Sequence, residues 1–259
     1  MSEFHATLTI AYRDTLKFLR DRARFVSTFV FPFIFIGIVG GSLQANLGEG
    51  AGYNFLTFTF TGVLAMTLFQ SSAMGIISLI EDRENDFSQE IFVSPISRYS
   101  IILGKILGES IVALAQGIGI VGFALIIGVS ISATQIAVLV PVAIATCLVG
   151  GAFGIVVLSN LGSQRAAQQI FPFIMLPQYF LSGIFNPIQV LPFYMDVLSR
   201  VSPMRYAVDL TRDVFYAGQA EYSQVVLNGL PHNVAVMFAM FISFFVGGTF
   251  LFVRGERNR

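Results

Sequence analysis

Six apolar runs, most of them near or above the roughly 20 residues that a helix needs to cross a hydrocarbon core, divide this chain and leave little else to fold. They lie near Phe25 to Leu43, Asn54 to Ile80, Ser100 to Val129, Gln135 to Ser159, Gln168 to Phe185 and His232 to Val253. With 55% hydrophobic and only 12% charged residues, the chain lacks the polar surface of a water-soluble domain. In lipid each backbone N–H and C=O must find its partner inside the protein, so runs of this length are helices. The expectation is an all-α polytopic membrane protein with six transmembrane helices. Residues 1–24 form an amphipathic helix ahead of a single membrane domain over 25–259. The second and third runs exceed the minimum length, which predicts tilting or projection beyond the bilayer. Pro32, Pro141, Pro172 and Pro177 predict kinks packed against neighbouring helices.

The placement of Lys and Arg sets the orientation. With both termini cytoplasmic, the inner side holds Arg13, Lys17, Arg20, Arg22, Arg24, Arg83, Arg98, Lys105, Arg165, Arg254, Arg257 and Arg259, and only Arg200, Arg205 and Arg212 lie outside. That assignment makes Gln44 to Tyr53 and Ser130 to Thr134 short external loops, with a long external connection from Asn186 to Pro231. Ahead of the first run, Leu8, Tyr12, Thr15, Leu16 and Leu19 share one helical face and Arg13, Lys17, Arg20 and Arg24 another. A helix of that pattern lies at the membrane surface with its apolar side at the acyl boundary. In the long connection, Leu191, Phe193, Tyr194, Val197 and Leu198 recur at helical spacing, followed after Pro203 by Met204, Ala207, Val208 and Thr211. Two short amphipathic helices on or in the outer leaflet fit that pattern, with Asp209, Arg212 and Asp213 as an exposed ion-pair face of little energetic weight.

Catalytic chemistry finds no support in the residue pattern. His5 and His232 stand far apart and without the spacing of a metal pair. Cys147 sits inside an apolar run as a small buried hydrophobe. Leu103-Gly104-Lys105 has neither the upstream glycine nor the following Ser or Thr of a phosphate-binding loop. The expectation is therefore a chain with no catalytic, cofactor or metal site. Lys105 and Glu109, one helical turn apart near the inner end of the third run, form a candidate intramembrane ion pair. Gly104 with Gly108, and Gly150 with Gly154, are Gly-x-x-x-Gly pairs that permit close helix approach, within the chain or between copies. The 27 phenylalanines, against no tryptophan, suit packing and, where they line a cleft, an apolar or amphipathic passenger.

Between the second and third runs stands the acidic segment Glu81-Asp82-Arg83-Glu84-Asn85-Asp86-Phe87-Ser88-Gln89-Glu90-Ile91-Phe92. On a helix, Asp82, Asp86 and Glu90 form one stripe and Arg83, Phe87 and Ile91 a neighbouring one. Like charges at this spacing weaken an isolated helix. Aromatic side chains exposed beside them point to a partner-docking element in the cytoplasm.

The same segment, continued through Ser94-Pro95-Ile96-Ser97-Arg98 and Gly104-Lys105, resembles the membrane subunits of ABC-2 type transporters, in the drug-exporter branch similar to the daunorubicin and nodulation-factor permeases. Ser182-Gly183-Ile184-Phe185-Asn186-Pro187, Leu191-Pro192 and Ser202-Pro203-Met204-Arg205-Tyr206 look like that family's outer re-entrant region. Asp86-Phe87-Ser88 departs from the Gly-Thr-Leu type sequence often found there. The resemblance implies an ATP-driven export permease of the plasma membrane, prokaryotic in type, working as a dimer (a homodimer in preference to a heterodimer) with two separate ATPase subunits that carry ATP and Mg. Glu81, Asp82, Arg83, Glu84, Asp86, Phe87, Glu90, Ile91 and Phe92 would form the coupling helix, Pro95 and Arg98 the turn that follows it, and the N-terminal helix a connecting helix beside it. Membrane lipid is the other expected partner, and nucleic acid is not one. A glycan-exporting permease is the competing expectation within transport, and a membrane scaffold the one outside it.

Overall fold

The computed structural model describes residues 3–84, 96–158 and 161–257. Helix α1, Glu3–Arg20, precedes α2, Arg22–Ile34, which runs through a π-helical turn, Phe35–Gly40, into α3, Gly41–Ala51. Then follow α4, Phe55–Gly75, α5, Ile77–Glu84, α6, Arg98–Ile126, α7, Ala133–Leu158, and α8, Gln164–Leu181. Beyond a 3₁₀ turn at Ile188–Val190 come α9, Phe193–Ser199, α10, Pro203–Phe215, α11, Tyr222–Val225, and α12, Leu230–Arg257. No strand occurs among the described residues.

Among the described residues, five helical stretches are long and apolar enough to cross a membrane: Phe25–Asn46, Phe55–Asp82, Arg98–Ile126, Ala133–Leu158 and Tyr222–Gly255. The expected fifth span lies on α8, whose 18 residues reach about 27 Å at 1.5 Å per residue. Gln164, Arg165, Gln168, Gln169 and Gln178 make that helix more polar than the other five stretches. The expected external loop from Gln44 to Tyr53 is shorter than the sequence suggested, because helix continues to Ala51 and stops at Gly52, whose φ of 74° places it in the left-handed region. Asn54 then caps α4 by accepting from the Thr57 N–H at 2.9 Å, and Gln44 accepts from the Phe55 N–H at 2.7 Å. Pro32 lies one turn before the π-helical segment, where a lost N–H donor loosens the regular ladder.

Helix α4 is the axis of the fold, with most of its side chains buried. Gly150 and Gly154 bring α7 so close that a Cβ at either would strike the backbone of Phe69 or Ala73 on α4. Gly104 and Gly108 do the same for α1 against α6, where added Cβ atoms would lie 2.8 Å from the Thr7 carbonyl and 3.0 Å from Ala11. Both small-residue pairs therefore serve contacts within the chain.

Helix α1 buries Ala6, Thr7, Ala11, Asp14 and Phe18 against the protein and leaves Leu8, Tyr12 and Leu19 exposed. The exposed apolar residues suit the acyl boundary, and the buried face is the small-residue one that fits α6. Around α10 the structure departs from expectation. Arg205, Asp209, Arg212 and Asp213 are all buried rather than forming an exposed ion-pair face. Asp209 accepts from the N–H groups of Leu227 and Asn228 at 2.7 and 2.8 Å and from Asn233 at 2.9 Å, which fastens α10 to the head of α12. Arg212 lies 3.6 Å from the centre of the Phe58 ring, and Asp213 accepts from the Tyr222 hydroxyl at 2.5 Å. The preceding α9 keeps Phe193, Tyr194 and Leu198 exposed, as a helix resting on lipid does.

Candidate functional site

Where α1, α5 and α6 meet, the tight approach allowed by Gly104 and Gly108 carries charged side chains into the interior. Lys105, only 1% exposed, reaches Asp14 on α1 at 3.0 Å and Asp82 on α5 at 2.5 Å. Arg13 bridges the same two carboxylates, at 2.9 Å to Asp14 and 2.6 Å to Asp82. Lys17 approaches Asp82 at 3.6 Å from the more exposed side. Burial alone would lower the pKa of the Arg13 guanidinium, but Asp14 and Asp82 outweigh it and hold it above its ordinary value. Glu109 joins the group through Ser78, whose hydroxyl donates to it at 3.3 Å and accepts from Lys105 at 3.2 Å. A Cβ at Gly75 would collide with the Glu109 carboxylate, so this glycine makes room for an acid inside the bundle. Three cations thus face three carboxylates, which is the condition for keeping charge in a low-dielectric interior.

The same corner is fastened by hydrogen bonds between α1 and the start of α6. The Ser97 N–H donates to the Glu3 carboxylate at 3.0 Å, and the Thr7 hydroxyl donates to the Ser100 carbonyl at 3.2 Å. Helix α1 is thereby locked along the foot of α6, beside the point where α5 enters 85–95.

The structure distributes the expected docking residues over different environments. Asp82 is buried in the ion cluster, so the first member of the expected acidic stripe faces inward. Glu84 accepts from the Gln164 N–H at 3.0 Å and satisfies a donor at the start of α8. Glu81, about 100° around α5 from Asp82, lines a groove. Arg83 belongs to α5. Arg98 is the first residue of α6, behind the Ser97 cap. Asp86, Phe87, Glu90, Ile91, Phe92 and Pro95 lie outside the described residues.

The groove that Glu81 lines has a volume of about 620 Å³ and runs between α2, α4, α5 and α8, with Gln116 of α6 at its floor. Thr67, Gln70, Ser71, Met74, Ser78 and Glu81 recur every three or four residues along the continuous α4–α5 path, which puts them on one helical face. Gln164, Gln168 and Tyr179 enter from α8, and Phe31 and Pro32 from α2. The Tyr179 hydroxyl donates to Gln70 at 2.7 Å across the groove. Asp14 and this polar stripe escaped the sequence reading. The signals were an acid interrupting a basic face, and Thr67, Gln70, Ser71, Ser78 and Glu81 repeating at helical spacing inside an otherwise apolar span.

Such an arrangement can hold an amphipathic molecule against a hydrogen-bonding wall and, at the foot, transmit displacement between three helices as one body. The chain is similar to known transport proteins. Over 164 residues the chain is 24% identical to the putative transport permease ycf38 of Cyanophora paradoxa, covering 62% of this chain and 57% of that protein. It is 27% identical over 148 residues to the probable multidrug ABC transporter permease YbhR of Escherichia coli K12, covering 54% of this chain and 38% of that one. The ycf38 protein of Pyropia yezoensis matches over 233 residues at 24% identity, with 88% and 78% covered. The aligned part is thus about half the length or less of the first two relatives. The family model described as ABC-2 type transporter matches residues 5–216, from α1 through α10, and this chain belongs to that family.

Proposed function

We infer that this chain is the membrane-spanning permease subunit of an ATP-driven exporter, moving hydrophobic or amphipathic molecules out of the cytoplasm or inner leaflet. Separate ATPase subunits, two per complex, dock on the segment that follows α5, and a second copy of the chain completes the pathway. The observation that carries the reading, given the family, is the buried cluster of Asp14, Asp82 and Lys105. It makes α1, α5 and α6 one mechanical block at the point where the Asp86 to Phe92 segment begins. The adjoining face of α5, with Ser78 and Glu81, forms part of the groove wall. A displacement of α5 therefore moves the groove wall directly. Closure of the ATPase dimer on ATP would shift the docked segments, and the shift would be passed to α4 and α8. This reading places both termini and α1 on the cytoplasmic side of the plasma membrane.

Affinity purification of the chain from membranes in which ABC-type ATPases are co-expressed tests the proposal. An ATPase should co-purify, and Phe87→Ala with Ile91→Ala should cut recovery of the ATPase at least fivefold while membrane insertion is kept. Full recovery with both side chains removed would contradict docking at this segment.

A further inference from the structure

Resting on the reading of the chain as an exporter, the geometry points to a groove selective for cationic amphiphiles, with Glu81 as the charge-recognising residue and neutral amides holding the rest of the passenger. Three acids stand at the inner end of the α4–α5 path, and their surroundings separate their roles. Asp82 is neutralised by Arg13, Lys17 and Lys105, and Glu84 is taken by the start of α8. Glu81 has no ion pair among the described residues, and it is the one charged side chain among the described residues that line the groove. No Lys, Arg or His among them offers an anion a partner.

A lone carboxylate beside a membrane interior is costly until a cation meets it. A passenger's positive charge supplies that cation, and a negative one adds repulsion. Above Glu81 the wall is uncharged and rich in hydrogen-bonding groups: Gln70, Gln116, Gln164, Gln168 and Tyr179. Tyr179 occupies the Gln70 oxygen, which orients that amide with its N–H pair available to a passenger carbonyl or hydroxyl. From Glu81 to Thr67 the stripe extends 14 residues along the α4–α5 path, about 21 Å at helical rise. Met74, Phe31 and Pro32 add apolar surface along it. The groove volume of about 620 Å³ falls within the range of roughly 300–1,000 Å³ that accepts drug-sized molecules. The matching passenger is elongated, carries one positive charge at the Glu81 end, and has hydrogen-bonding groups along an apolar frame.

Dye binding to the full chain in phosphatidylcholine nanodiscs tests this, with empty nanodiscs subtracted. The probes are rhodamine 6G, a cationic amphiphile, and 8-anilinonaphthalene-1-sulfonate, an anionic one. Rhodamine 6G should bind saturably and at least tenfold more tightly than the anion. Glu81→Gln should weaken rhodamine binding about tenfold and erase the preference, whereas Glu81→Asp, which keeps the charge, should retain it. Equal binding of the two dyes by the unmodified chain, or unchanged rhodamine affinity in a monodisperse Glu81→Gln protein, would overturn the proposal. Should Glu81→Gln fail to fold, the dye comparison on the unmodified chain and Glu81→Asp still decides. ATPase capture is scored apart: capture with no dye selectivity removes the charge rule alone, and failed capture removes the exporter reading.

Discussion

Lys105 is held with 1% of its surface exposed between two carboxylates that are themselves buried. Its removal leaves Asp14 and Asp82 in the interior without their most buried cation, a change that costs about 3–5 kcal/mol in comparable pairs. Lys105→Ala should therefore lower stability by that amount, read from denaturation in detergent. Arg13→Ala should cost less, because the Arg13 side chain is 28% exposed and water shares its work. Equal and small losses for both variants would show the cluster to be incidental. The charge of Lys105 and its proximity to Glu109 were legible in the sequence. Its bonding to Asp14 and Asp82 was not, since those residues come from two other helices and only tertiary packing places them within reach.

Helices in this protein approach one another through glycine, and a contrast between glycines tests it. Gly154→Leu drives a side chain into the backbone of Ala73 and should cost about 1–3 kcal/mol or more. Gly122→Ala on α6 meets nothing within 4 Å and should change stability by less than about 1 kcal/mol. Thermal melts of the two variants in one detergent make the comparison, and equal shifts would contradict the packing. The contact of α1 with α6 has a pH signature. Hydrogen bonding from Ser100 and then Ser97 holds the Glu3 carboxyl below its ordinary value of 4.5. A lowered folded-state pKa means that the stabilisation is full above that ordinary value and fades as pH falls through the folded one. Amide protection in α1, taken relative to the intrinsic exchange rate at each pH, should thus fall as the pH drops below about 4.5, and Glu3→Gln should flatten the dependence. The helices themselves were readable from run length and capping residues such as Asn54 and Ser97. The buried face of α1 was not legible, because Ala6, Thr7 and Ala11 are too small to register as a hydrophobic stripe. The residues of α10 read as an exposed surface because the partners of Asp209 lie 18 to 24 positions away.

At the scale of the molecule, an ion-paired foot, a polar groove beside it and a bundle closed by glycine contacts form one continuous body around α4 and α5. Class and family were visible in the apolar runs and in the order of the acidic segment, the Ser-Pro-Ile-Ser-Arg turn and Gly104-Lys105. The groove was not, because its wall is contributed by α2, α4, α5 and α8, far apart along the chain. Co-reconstitution tests whether this chain is the permease of an ATP-driven exporter. The chain and the ATPase that co-purifies with it are placed together in sealed proteoliposomes, and movement of rhodamine 6G is followed on addition of ATP with Mg. The account predicts ATP-dependent accumulation of the dye that vanishes when either protein is left out. Dye movement that ignores ATP, or that persists with the ATPase alone, would contradict it.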